Sequence, residues 1–464
     1  MTTTLLEPPV RNSTAPATKR RVLLIAYSFP PVGGAGVQRP VKWVKYLERA
    51  GWSVTVLTVA NPSVPVLDAS LLAEIPEQTR VVRAATWEPG YAVKQSLGAA
   101  TSSRKRWWTA PLRWGKSIVK SLAKLCLQPD PQILWYPGAV AAGTQLLRHE
   151  RFDAIVCTGP AYTSFLVGRT LKRRSGVPLV LDYRDEWDLS SQYLEHAQKD
   201  RWSRWVQERQ QRAVLRAADA VVATTQASVD RLGERLEALQ SQAQRVCIYN
   251  GYDSEDFVDS MPTSPPVTQN SKFRLVYTGT LWNLTDVSPV VTAIEQIAQT
   301  RPDLLKRLDF VCVGRKTAEQ QQWLERLRQT PCTMTSLDYC PHDRVLAWLA
   351  SADALCLLLS DVPGADRVVP AKLFEYLAAR KPLLAIVPTG EAAHIATRFH
   401  PESCFSPRDV AGLARWLTAR LAGSDADVAA VHAADIEEYS RERQTHRLVA
   451  LLEALITTNS HAGA

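Results

Sequence analysis

Lys372 and Glu375 open a helix-like pattern in the stretch VVPAKLFEYLAARKPLLAI, residues 368–386. Leu373, Phe374 and Leu377 recur at helical spacing directly after Pro370-Ala371-Lys372, and Lys381-Pro382 closes the run. The apolar residues that follow read as a strand. An acid in the first turn of such a helix has two readings. It can complement the helix dipole, a contribution of a fraction of a kcal/mol. Or it can belong to a ligand site at a strand-to-helix junction, where the helix N-terminus favours anions.

Other stretches offer chemistry of a related kind. VGGAGVQR follows an apolar strand and contains Gly34-x-Gly36-x-x-Arg39, so the dinucleotide fingerprint fails at its third glycine. Gly33 and Gly34 still allow main-chain N–H groups to approach a phosphate or sugar, although an ordinary strand-to-helix turn reads the same way. VLDYRDEWD places Asp182, Arg184, Asp185, Glu186 and Asp188 straight after a buried strand. That run is either a site or a solvated loop closed by Arg184–Asp pairing. TGPAYTS, residues 158–164, stands at the equivalent end of the preceding strand and could face the same cleft. In YTGTLW, Gly279 marks a strand end where a side chain would block a ligand. Asn250-Gly251 is a strong turn signal.

These pieces need a sheet whose strand ends gather in one place. RRVLLIAYSFPP reads as a strand broken at Pro30-Pro31, VGGAGVQR as a flexible loop, PVKWVKYLERAG as a helix and WSVTVLTVA as a second strand. Strand, loop, helix, strand is a βαβ unit and implies a parallel sheet. Further strands are expected at FDAIVCTG, PLVLDY, ADAVVATT and QRVCIYN. After a Pro/Ser/Thr/Gln stretch at 261–270, a second series runs through FRLVYTG, LDFVCVG, ADALCLLL and PLLAIV. The expected architecture is α/β, with two Rossmann-like, doubly wound domains facing across a cleft. Residues 1–19 read as a disordered leader, 20–247 as the first domain, 248–430 as the second, and 431–464 as a helix and tail crossing back to the first.

Length and composition agree with two sizeable cores in a chain of 464 residues. The eight cysteines are scattered without metal spacing, as expected in a reducing cytosol. No HExxH, P-loop, nucleophile elbow or aromatic RNA-binding pattern is present, and the Asp425–Asp427 pair lies in an Ala/Ser-rich stretch. No apolar run is long enough to cross a membrane. The net charge is +9, and seven cations without an acid fall between Thr101 and Leu127. Within this basic segment, 104–127, Arg113, Lys116, Lys120 and Lys124 share one helical face, while Ile118, Leu122 and Leu125 lie on another. Trp107, Trp108 and Trp114 add rings of the kind that settle at lipid headgroups. The segment is either a surface helix packed on the first domain or a contact for an anionic membrane; no recognition module accompanies it to suggest nucleic acid.

Taken in order, five stretches resemble the glycosyltransferases of family 4, of bacterial polysaccharide and cell-envelope type, which have the GT-B fold. They are YSFPPVGGAGVQR for the N-domain glycine loop, IYNGYDSEDF for the hinge, LVYTGTL for the first C-domain strand and loop, PAKLFEYLAARKPLLA for the donor helix, and EYSRERQTHRLVALLEAL for the closing helix. The resemblance implies a retaining, metal-independent hexosyltransferase with no resident cofactor. Its donor would be a nucleotide-diphosphate sugar and its acceptor a saccharide or lipid-linked molecule, at the cytoplasmic face of the membrane. Glu375 becomes the second acid of the family's E-x7-E motif, which binds the ribose. Lys372 adds charge at the phosphates. Arg367 stands where the first acid is usual, and Thr280 and Thr285 stand where many members carry phosphate cations, so Arg315, Arg367 and Lys372 are the expected replacements. Arg184 and Asp185 occupy the place of the N-domain catalytic group. Two other readings stay open: a scaffold subunit that has lost catalysis, and a sugar-nucleotide epimerase on the same architecture.

Overall fold

A computed structural model of the protein describes residues 19–90, 127–189, 200–257, 272–423 and 433–462. Two parallel sheets organise the chain. The first contains β1 (Arg21–Ile25), β2 (Ser53–Val59), β3 (Arg80–Ala84), β4 (Ala154–Gly159), β5 (Leu179–Tyr183), β6 (Ala220–Ala223) and β7 (Gln244–Cys247), in the order β3-β2-β1-β4-β5-β6-β7. The second contains β8 (Phe273–Thr278), β9 (Leu308–Val313), β10 (Thr333–Leu337), β11 (Ala354–Leu358), β12 (Leu383–Ile386) and β13 (Cys404–Phe405), in the order β10-β9-β8-β11-β12-β13. The helices that bear on the site are α1 (Ala35–Arg49), α2 (Arg201–Leu215), α3 (Gln226–Ala238), α4 (His342–Ala350), α5 (Lys372–Ala378), α6 (Glu391–Phe399) and α7 (Arg441–Ala462).

Each sheet is apolar on both faces because helices cover both. Successive residues of β1 point to opposite sides: Leu23 and Ile25 enter one core, Val22 and Leu24 the other. β8 divides in the same way, with Val276 on one side and Leu275 and Tyr277 on the other. The strand order reverses between β1 and β4 in the first sheet and between β8 and β11 in the second. Such reversals part the connecting loops and open a crevice at the strands' carboxyl ends.

α7 returns to the first domain. Leu448, Leu451, Leu452 and Leu455 form one helical stripe that packs into the core holding Val37, Val41 and Val44 of α1. The segment before it pairs with the hinge: Tyr252 donates from its amide to the Tyr439 carbonyl at 3.1 Å, and the Arg441 amide donates to the Tyr252 carbonyl at 2.7 Å. Gly251 makes this possible. Its φ is +69°, and a Cβ there would lie 2.4 Å from the Tyr439 carbonyl oxygen. α1 clamps the same hinge, where Asp253 accepts from Tyr46 at 2.6 Å and pairs with Lys42 and Lys45 at 2.7 Å.

Two expectations need correction. VGGAGVQR is not a loop throughout, because α1 begins at Ala35 and runs straight through Pro40. The strands β3, β10 and β13 are additions to the expected set. The first two lie at sheet edges and leave much of their surface exposed, so they lack a continuous apolar run. Among the described residues no helix is long and apolar enough to cross a membrane.

Candidate functional site

The carboxyl ends of the two sheets face each other across a cleft of about 780 Å³. Gly34, Arg184 and Asp185 line it from the first domain. Gly279, Arg315, Arg367, Lys372 and Glu375 line it from the second. Gly33 does not reach it. Its amide is committed to the Val66 carbonyl at 3.0 Å, and the space above its Cα is filled by Val66 and Asp68. The expected approach of a ligand to that amide is therefore corrected. Trp107, Trp108, Arg113, Trp114, Lys116, Lys120 and Lys124 lie outside the described residues.

Lys372 occupies the floor of the second domain's half. Its Nζ donates to the Tyr277 hydroxyl at 2.7 Å and lies 4.1 Å from the centre of that ring. Gly279 stands directly over it with φ +112°, and a Cβ at Gly279 would come within 2.6 Å of Nζ. Only a residue without a side chain leaves room for the amine beneath it. Burial pulls the Lys372 amine down to about 7, despite the Glu375 charge that favours its protonated form. Glu375 follows one helical turn later, half-buried at the cleft wall. Among the described residues its carboxylate has no hydrogen-bond or ion-pair partner.

The first domain's half is assembled by a backbone irregularity. Pro40 has no N–H to offer the Gly36 carbonyl four residues back. Arg184 takes the vacant acceptor, donating from Nη1 at 2.6 Å. Arg39, where the dinucleotide fingerprint wants a glycine, turns under the sheet instead. It binds Asp182 through Nε at 3.1 and 3.2 Å and Nη2 at 2.8 Å, and donates to the Tyr249 carbonyl at 2.9 Å. Asp185 is mostly exposed, 3.3 Å from Arg184.

Several contacts cross the cleft. Arg367 pairs with Glu186, so it meets a carboxylate of the other domain. Tyr339 donates to Asp68 at 2.7 Å. Glu391, at the start of α6, accepts from the amides of Gln226 and Ala227 at 2.9 Å each, a carboxylate set on the N-terminus of α3. Within the second domain, His342 at the start of α4 pairs with Asp256 at 3.3 Å. Burial alone would lower the imidazole, but Asp256 and the nearby Glu375 outweigh it, and the net shift is upward.

Asp130, His342 and Arg441 are among the cleft residues not singled out from the sequence. Burial pushes the Asp130 carboxyl up to about 6, against hydrogen bonds from the Thr163 amide and hydroxyl. Nothing in the local pattern around these three separates them from solvated loop and helix-start residues. Among the described residues no three His, Cys, Asp or Glu side chains gather as a metal site.

Residues 33–251 match the family model described as a glycosyl transferase 4-like domain. The first domain is a glycosyl transferase 4-like domain. With the second domain across the cleft and α7 crossing back, the chain has the GT-B fold. No curated protein matches it in sequence. Solved structures match it over nearly its whole length. Anabaena Alr3699/HepE in complex with UDP and glucose aligns at 15% identity and TM-score 0.59, covering 94% of this chain and 100% of that one. An α,α-trehalose-phosphate synthase (UDP-forming) from Burkholderia vietnamiensis aligns at 14% and 0.60, covering 95% and 100%. The N-terminal domain of Candida albicans trehalose-6-phosphate phosphatase aligns at 11% and 0.62, covering 94% and 97%. At these identities the likeness is one of fold. The glycosyl transferase 4-like domain supplies the glycine loop, Arg184 and Asp130 to the cleft, and the second domain supplies Lys372 and Glu375.

Proposed function

We propose that this chain is a retaining, metal-independent glycosyltransferase that moves a hexosyl group from a UDP-sugar to a lipid-linked or saccharide acceptor in polysaccharide or glycolipid synthesis. The observation that carries the reading is the Lys372 amine beneath Gly279 together with a Glu375 carboxylate, without a partner among the described residues, one turn away in the same cleft. A carboxylate can accept from both ribose hydroxyls, and the amine lies where diphosphate charge can meet it. UDP in the HepE structure and in the name of the synthase supports uracil as the base.

The protein's contribution is positioning and charge. The second domain holds the nucleotide at Glu375 and Lys372, with Arg315 on the same wall. The first domain presents the acceptor near Arg184, Asp185 and Asp130. The bond from the sugar to the diphosphate breaks, the bond to the acceptor oxygen forms on the same face, and the departing phosphate oxygen takes the acceptor proton. Glu375→Gln removes one strong acceptor, so donor KM rises and turnover falls. Initial rates against a UDP-sugar panel test this, and an unchanged rate in the variant would remove the assignment.

We further place the enzyme at the cytoplasmic face of an anionic membrane. The basic segment carries this reading, and α2 supports it from the described part. Trp202 and Trp205 are both about half exposed on α2, among Arg201, Arg204, Arg209 and Arg212. α2 is tied by Ser203 and Gln207 to Gln128, just after the basic segment. Each cation near such a leaflet contributes about 1 kcal/mol. Co-sedimentation with anionic vesicles, weakened by salt and by changing Lys116, Lys120 and Lys124 to glutamate, is the expected result. Equal sedimentation with neutral vesicles would leave a basic surface helix.

A further inference from the structure

Arg441 is the first residue of α7, held by its amide to the hinge carbonyl of Tyr252 at 2.7 Å. Its side chain is only 6% exposed, and what is exposed lines the cleft together with Glu375, His342 and Asn250. Two buried cations of α1 nearby are matched to acids. Arg39 has Asp182, and Lys42 has Asp253, Asp256 and Glu74. Asp253 and Asp256, the acids closest to the hinge, are already engaged by Lys42, Lys45 and His342. Glu375, Asp253 and Asp256 act on Arg441 through space, but none comes within ion-pair distance. Among the described residues, the Arg441 guanidinium has no hydrogen-bond or ion-pair partner.

A guanidinium has five N–H donors and keeps its charge in proteins. Burying it without a partner is expensive, and a protein normally avoids it. The open side here is the cleft. A planar fork facing a void suits one ligand chemistry best, two oxygens on a single phosphorus, which it can grip with two parallel bonds.

We propose that Arg441 is the cleft's receptor for a substrate phosphoryl group, contributed by the crossover helix in place of the cations absent at Thr280 and Thr285. The inference rests on the glycosyl-transfer reading and adds a residue outside both sheets' strand-end loops to its binding site. The phosphoryl oxygens can come from the donor's diphosphate or from a phosphate on the acceptor. In either case α7 links occupancy of the cleft to the first domain's core, because its Leu448–Leu455 stripe is packed there.

Calorimetric titration separates the sources. UDP, uridine, and inorganic phosphate added to UDP-saturated protein are each titrated into the wild type, Arg441→Met and Arg441→Lys. A donor contact predicts that Arg441→Met weakens UDP by about ten- to hundredfold while uridine is unchanged, with Arg441→Lys between. An acceptor contact predicts unchanged UDP and lost phosphate binding to the UDP-saturated protein. Thermal unfolding adds an independent readout. Arg441→Met relieves a buried unpaired charge, so the ligand-free protein should melt at a higher temperature than the wild type. A lower melting temperature, or wild-type affinities for both UDP and phosphate in Arg441→Met, overturns the inference and leaves the functional reading standing. Wild-type protein that binds none of UDP, GDP or ADP overturns the reading and the inference together.

Discussion

Arg367 and Glu186 face each other from opposite walls of the cleft as a two-armed ion pair, Nε to Oε1 at 2.8 Å and Nη2 to Oε2 at 3.0 Å. Glu186 is 7% exposed and also accepts from Ser228 Oγ at 2.7 Å. The Arg367 carbonyl in turn accepts from Thr225 Oγ1 at 2.9 Å. Arg367 therefore ties the two domains to each other across the cleft. The Arg367 guanidinium, on the cleft wall, is thus already engaged by a carboxylate of the other domain.

Breaking this latch should open the molecule. Arg367→Gln leaves a buried carboxylate with one hydroxyl donor, and a charged hydrogen bond of this kind contributes about 1.5–3 kcal/mol. A shift of about 1.4 kcal/mol is tenfold in an open-to-closed ratio. Small-angle scattering of the ligand-free variant should show a larger radius of gyration than the wild type, and the Glu186→Arg, Arg367→Glu exchange should recover part of the closure. Identical scattering from wild type and Arg367→Gln would show that the latch holds nothing.

Arg39 and Asp182 make the opposite kind of pair, one that supports the floor of a single domain. Their side chains are 2% and 0% exposed. Thr158 Oγ1 donates to the same carboxylate at 2.8 Å. Removing one partner of a buried pair strands the other charge, at a cost of about 3–5 kcal/mol, whereas replacing both with apolar residues is often near neutral. Arg39→Met should lower stability by that amount in urea unfolding, and Arg39→Met with Asp182→Leu should regain most of it. A double variant no better than the single one would mean that the Tyr249 carbonyl contact, not the ion pair, is what matters.

How far the sequence reveals this molecule depends on whether a feature is local. Strands such as β4 and β11 are buried on both faces, so each reads as an unbroken apolar run. β3 and β10 are half-exposed edges and carry no such run. The start of α1 is hidden by Pro40, which reads as the first residue of a helix unless one knows that Arg184 takes the Gly36 carbonyl it leaves free, 148 positions along the chain. Lys372 and Glu375 are visible because one helical turn holds both. Arg367 looks like a free cation until Glu186 is found 181 positions earlier in the chain. Arg441 shows the reverse: in YSRERQ it resembles any solvated helix-start arginine, and only the packing of α7 buries it.

Lys372 gives the site a pH signature. Burial brings its amine to about 7 in the ligand-free protein, against an ordinary value of 10.5. Between those two values the unfolded chain binds a proton that the folded chain lacks, so this group makes stability rise with pH across that window. Its penalty is largest below pH 7, where the buried amine must carry charge, and Lys372→Met should therefore stabilise the ligand-free protein most at acidic pH. A diphosphate above Gly279 favours the ammonium and moves the value back up. Binding UDP at pH 8 should then take up close to one proton, read as a difference in calorimetric enthalpy between buffers of high and low ionisation heat. Lys372→Met should bind UDP more weakly and with the same enthalpy in both buffers. Proton uptake that persists in the variant would assign the signal to another group, with His342 the next to examine because its raised value also responds to Glu375 and Asp256.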